Sequence, residues 1–171
     1  MNSEPSFKTP TMTPEQIKSH LRRANDVAKR AMANGHHPFG AVLVAPDGDT
    51  VLAEQCNVDT VNHAESVLAR TAAQNYSAEY LWQCTLVTTF EPCAMCAATA
   101  YWANIGRVVY GAGREDVHRM YFEDRHLDTM NFIRDAYRKD MPVVGGVMAK
   151  ECAALYYGPD DEPPIEEQGN L

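Results

Sequence analysis

The stretch 85–110 limits the possible folds more than any other part of this chain. Thr85 to Phe90 is a β-branched, apolar run, Cys93 to Ala103 reads as a helix, and Arg107 to Tyr110 (RVVY) is a second short apolar run. Strand, helix and strand in that order need a crossover connection. The two strands therefore pair in parallel, with helices packed on the sheet.

The flanking sequence extends this pattern. Thr13-Pro14-Glu15-Gln16 reads as a helix start, with Thr as the cap, Pro at the first helical position and Gln closing a capping box. Ile17, Leu21, Ala24, Ala28 and Ala31 follow at helical spacing, and Gly35 is the expected stop. Residues 39–45 and 50–54 flank Pro46-Asp47-Gly48-Asp49, the chemistry of a hairpin turn. His63 to Asn75 is expected to be helical, as are 128–139 and 147–157, with a short strand over 142–145. The expected fold is α/β, a three-layer α/β/α sandwich around a central mixed sheet of about five strands. The expected organisation is a flexible N-terminus (1–12), a single domain (13–157) and an acidic, proline-rich, flexible tail (158–171).

Charge narrows the partners. The net charge of −8 comes with scattered lysines and arginines, whereas a groove that tracks phosphates needs a basic surface. A small-molecule substrate is expected rather than nucleic acid. No run approaches a membrane span, and the first residues lack the apolar core of a signal peptide. A cytoplasmic location is the expectation. Five cysteines, an odd number, argue against a disulfide framework.

Two segments carry chemistry: Asn62-His63-Ala64-Glu65 and Glu91-Pro92-Cys93-Ala94-Met95-Cys96. Each is weak alone. Together they place one imidazole, two thiols and one carboxylate at the starts of two expected helices. Cys93 and Cys96, three apart in a first turn, project to one side, where the positive end of the helix dipole favours thiolates. With His63 they make three protein ligands, and the fourth tetrahedral position stays open, as in catalytic zinc sites. The sulfurs favour zinc over magnesium or calcium. Glu65 is two residues past His63, placed to move protons without ligating the metal.

His-x-Glu followed by Pro-Cys-x-x-Cys resembles the cytidine deaminase superfamily, and the resemblance runs from about Pro38 to Tyr110. It implies one Zn2+ per chain held by His63, Cys93 and Cys96, with Glu65 as the proton shuttle. Pro38-Phe39-Gly40-Ala41 looks like the guanine deaminase and tRNA adenosine deaminase branches, and Tyr101-Trp102-Ala103 looks like the bacterial guanine deaminases. That branch implies Asp116 as a second catalytic carboxylate and Asn57, Phe39, Trp102 and Ala64 as substrate contacts. It further implies hydrolysis of guanine to xanthine and ammonia by a homodimer. Three features depart from the pattern: the loop from Asn57 to His63 is short, Asn62 stands where a small residue is usual, and the region from His118 to Lys139 does not resemble the family.

Plainer readings stay open. Phe39 and Trp102 fit core packing, Asp116 a solvated charged run, and Asn57 a turn cap. The other histidines fit the surface or the core. Among functions, deamination of another ring or of tRNA adenosine competes with guanine. A thioredoxin-type redox pair at Cys93 and Cys96, or a structural zinc protein, would need no role for Glu65.

Overall fold

The computed structural model describes residues 12–122 and 141–168. The helix expected over 128–139 and the N-terminus 1–11 lie outside the described residues. Helix α1 (Pro14–Ala33) has the capping box read from Thr13 and Gln16. It ends at Gly35, whose φ of +80° suits a residue without Cβ. The Gly35 N–H reaches the Met32 carbonyl and the His36 N–H reaches that of Ala31, which is a Schellman closure. This closure turns the chain through His37 and Pro38 into β1 (Gly40–Val44).

Strand β2 (Val51–Cys56) returns antiparallel to β1. The turn between them is tied by Asp47, whose carboxylate accepts from the backbone of Asp49 and Thr50 and from the Thr50 hydroxyl. Helix α2 (Ala64–Asn75) follows, then a one-turn helix α3 (Ala78–Leu81) capped by Ser77, which the sequence reading had not marked. Next come β3 (Thr85–Phe90), α4 (Ala94–Trp102) and β4 (Arg107–Ala112). After 141 the chain adds β5 (Val143–Val144) and a short helix α5 (Ala149–Ala153).

The five strands lie in the order β2-β1-β3-β4-β5. The first three are antiparallel, and β3, β4 and β5 run parallel. The sheet is mixed and five-stranded, and the α/β expectation holds. Alternate residues point to opposite faces. Ala41, Leu43, Leu86 and Val108 pack with Ala64, Leu68 and Tyr101 of α2 and α4. Val42, Val44, Val87 and Val109 pack with Leu21 and Val27 of α1 and with Cys152 of α5. Period-2 alternation thus builds two cores, one on each side of the sheet.

The last helix is shorter than the sequence implied, five residues instead of 147–157. Met148 precedes it in a left-handed conformation and Gly146 has φ of +76°, so the backbone cannot enter the helix earlier. Leu155 and Tyr156 leave it to reach the site.

Gly40 marks the closest approach of α1 to the sheet. A Cβ there would lie 2.3 Å from the Ala24 carbonyl oxygen and 2.5 Å from the Ala28 nitrogen, both backbone atoms. Gly40→Ala is expected to destabilise the protein by about 1–3 kcal/mol. That corresponds to a fall in Tm of roughly 2–4 °C per kcal/mol in thermal unfolding.

Candidate active site

Helices α2 and α4 start at the same end of the sheet. His63 is the N-cap residue of α2 and Cys93 that of α4. His63 Nδ1 lies 3.5 Å from Cys93 Sγ and 3.6 Å from Cys96 Sγ. A tetrahedral ion with Zn–S near 2.3 Å and Zn–N near 2.0 Å requires N···S edges of about 3.5 Å. The three donors therefore have the spacing and the softness that zinc needs, and together they form a metal-ligating cluster.

Cys93 and Cys96 are linked by a side-chain hydrogen bond. Cys93 is pushed down to about 4 because its sulfur accepts a hydrogen bond from Cys96, with further lowering from His63 and the Cys96 N–H. Cys96 moves up because it donates that bond and is buried. Phe39 stacks on the imidazole of His63, with ring centroids 6.2 Å apart and planes within 15°.

Glu65 is 4% exposed. Its Oε1 accepts a 2.8 Å hydrogen bond from the Thr88 hydroxyl of β3, and its Oε2 lies 3.6 Å from Cys96 Sγ. Burial pushes its pKa up, and the charge on Cys93 adds to the rise. Thr88, which positions this carboxyl, was hidden in the sequence within a β-branched strand.

A cavity of about 790 Å³ opens over the site, with Phe39, Asn57, His63 and Cys93 in its wall. Asn57 is 4% exposed, and its Oδ1 is buried with no partner among the described residues. Its backbone N–H donates to the Phe39 carbonyl at 2.9 Å, which ties the two residues together at this end of the β1–β2 pair. Tyr121 and Tyr156 line the cavity as well, both packed against Phe39. The buried Tyr156 pairs its hydroxyl with Thr89 at 2.9 Å and sets its ring against Phe39 and Phe90. Tyr121 falls in the aromatic stretch 120–132, which the sequence leaves open as helix packing or a roof over the pocket, whereas nothing local announces Tyr156, 60 residues beyond Cys96.

Three residues named from the sequence lie elsewhere. Trp102 is 77% exposed at the end of α4 and outside the cavity wall. Asp116 caps its own turn, accepting from the Gly113 N–H at 2.8 Å, and also lies outside that wall. Ala64 is fully buried in the core beneath α2. Within one chain, none of these side chains is brought to the cavity.

The departures between Asn57 and His63 have a structural reason. Asp59 accepts from the backbone N–H groups of Val61 and Asn62 and from the Asn62 amide. The Asn62 carbonyl in turn accepts from the Val58 N–H. Asn62 thus closes a tight loop that carries Asn57 at one end and His63 at the other.

The chain belongs to the family described as the cytidine and deoxycytidylate deaminase zinc-binding region, whose model matches residues 14–112. It is 30% identical over 113 residues to a probable cytosine deaminase of Schizosaccharomyces pombe, covering 62% of this chain and 66% of that protein, just under two thirds of its length. It is 38% identical over 112 residues to the guanine deaminase of Bacillus subtilis, covering 63% and 71% respectively. Among solved structures, one from work on A-to-I editing by tRNA:A34 deaminases superposes with a TM-score of 0.65 at 29% identity, covering 81% of this chain and 99% of that one. The chain is thus a member of a zinc-binding deaminase family with a cytidine deaminase-like fold.

Two outcomes are expected here. Replacing His63 or Cys93 by alanine should remove stoichiometric zinc in elemental analysis, whereas Glu65→Gln should keep it. Asp59 is held down to about 2, chiefly by the Asn62 amide. Its folded pKa is depressed, so its contribution is present above the unfolded value of about 3.9 and is lost as pH falls through about 2. The Val61 and Asn62 amide resonances should stay constant from about pH 7 to pH 4, move only below that, and be displaced at neutral pH in Asp59→Ala.

Proposed function

We propose that this protein hydrolyses the exocyclic amino group of a free nitrogen heterocycle, with guanine as the leading substrate. One observation carries the reading: a buried carboxyl beside three zinc-type donors, under a cavity with Asn57 in its wall. A structural zinc site or a redox pair gives Glu65 and Asn57 no task.

In this reading His63, Cys93 and Cys96 hold the ion. Zn2+ bound there supplies Lewis acidity, which makes water a usable nucleophile near neutral pH. Glu65 does the proton work. Its Oε1 is fixed by Thr88 and its other oxygen faces the ligand sulfurs, so it takes a proton from the attacking water and returns it to the ring or to the leaving ammonia. Asn57 Oδ1 accepts from a ring N–H, a demand that a purine such as guanine meets. A ring lacking that donor leaves the amide unpaired, which discriminates more strongly than shape does. Phe39 holds His63 and offers an apolar edge to the ring. The same reading places the enzyme in the cytoplasm as a homodimer. Trp102, exposed in one chain, could then contact substrate only through the partner copy, and Asp116 would have to leave its cap to take part. No described helix is long and apolar enough to cross a membrane.

The likeness to the structure from work on tRNA:A34 deaminases supports a second reading, deamination of a tRNA adenosine. The acidic balance of the chain weighs against it.

Zinc-loaded protein should release ammonia from guanine, with Glu65→Ala losing roughly 10²–10⁴-fold of kcat while its zinc stays bound. An equally active Glu65→Ala protein would contradict the assignment. Asn57→Ala should act mainly on the preference between rings, seen as a changed ratio of kcat/KM for guanine and cytosine. A salt-dependent tRNA complex at micromolar protein, with turnover of its adenosine, would favour the second reading.

A further inference from the structure

The segment after Tyr157 folds back onto the cavity. Tyr157 is clamped at its start, with its N–H donating to the Tyr121 hydroxyl at 3.2 Å and its carbonyl accepting from the His118 N–H at 2.7 Å. Gly158 then turns the chain, held by the Asp161 carboxylate. Pro163 and Pro164 stiffen it ahead of a 3₁₀ turn at Ile165–Glu167. The Tyr157 hydroxyl donates to Glu167 Oε2 at 2.8 Å, and the Gln168 amide donates to the Pro163 carbonyl, so the loop closes on itself. This closure sets Glu166 and Glu167 into the wall of the cavity that also holds His63 and Cys93.

The charge of that wall is one-sided. Asp59, Glu166 and Glu167 contribute three carboxylates, and among the described lining residues there is no lysine or arginine. Besides His63 and Cys93, the other titratable side chains among the described lining residues are His36, His37, Tyr121, Tyr156 and Tyr157. Recognition of a phosphate calls for arginine, lysine or free helix N-terminal amides. Here the N-termini of α2 and α4 carry the metal-type donors instead.

We propose that Glu166 and Glu167 are specificity-determining residues that reject phosphorylated substrates, confining this site to uncharged bases and nucleosides. This rests on the reading of the cavity as the substrate site. Carboxylates at the mouth raise the energy of a dianion on approach and leave a neutral ring unaffected, and added salt screens the difference.

The test compares ligands that differ only in the phosphate. Binding of guanosine and adenosine, and of their 5′-monophosphates, is measured by calorimetry on the zinc-loaded full chain. The wild type is compared with Glu166→Gln/Glu167→Gln and Glu166→Lys/Glu167→Lys. The monophosphates should bind the wild type roughly tenfold or more weakly than the nucleosides at low salt, with a smaller gap at high salt. The double glutamine variant should narrow the gap, and the double lysine variant should reverse it. A nucleotide-to-nucleoside ratio unchanged by charge reversal, including equal failure to bind in all three proteins, would overturn the proposal. Failure of guanine to turn over would refute the functional reading instead, while this ratio would still report on the phosphate.

Discussion

Everything at this site depends on two helix starts being held side by side. The parallel pairing of β3 with β4 forces α4 to cross over the sheet, and α2 packs beside it in the same layer. Their first residues then emerge together, so an imidazole from one helix and two sulfurs from the other share a single volume. The N···S separations of 3.5 and 3.6 Å match those of a tetrahedral zinc site. The fold has preset this geometry within the protein itself, and desolvation and release of the thiol proton remain to be offset when an ion binds.

Glu65 shows how tightly the shell is specified. A carboxyl buried to 4% exposure is costly unless something answers its charge or its hydrogen-bonding capacity. Thr88 answers one oxygen, and the other faces Cys96. Phe39 and Tyr156 pack their rings together on the apolar side of the same cavity. Gly40, one residue past Phe39, lets α1 press against β1.

What the sequence disclosed and what it withheld divide along a physical line. The metal donors and Glu65 occupy the first turns of two helices, and their relationship is written in local spacing. The capping box at Thr13, the Gly35 stop and the Asp47 turn are local in the same way. Tyr121, Tyr156 and the carboxylates of the tail reach the cavity through tertiary folding, and no periodicity announces that. Asn62 departed from the usual pattern because it closes the loop with Asp59, a side-chain-to-backbone exchange that replaces the missing length. Trp102 and Asp116 were placed by resemblance alone. The single chain leaves the first exposed and engages the second in its own cap, so neither side chain meets the cavity within one chain. The last helix was overestimated because alanine-rich periodicity does not register the left-handed backbone at Met148.

His63, Cys93 and Cys96 are spaced as three ligands of one zinc ion, with one position left for a light atom. X-ray absorption at the zinc edge tests it most directly. Two sulfur scatterers at about 2.3 Å and two nitrogen or oxygen scatterers at about 2.0 Å are expected, with the bound-zinc signal lost in Cys93→Ala. A shell of four sulfurs, or zinc whose environment is unchanged by that substitution, would contradict it.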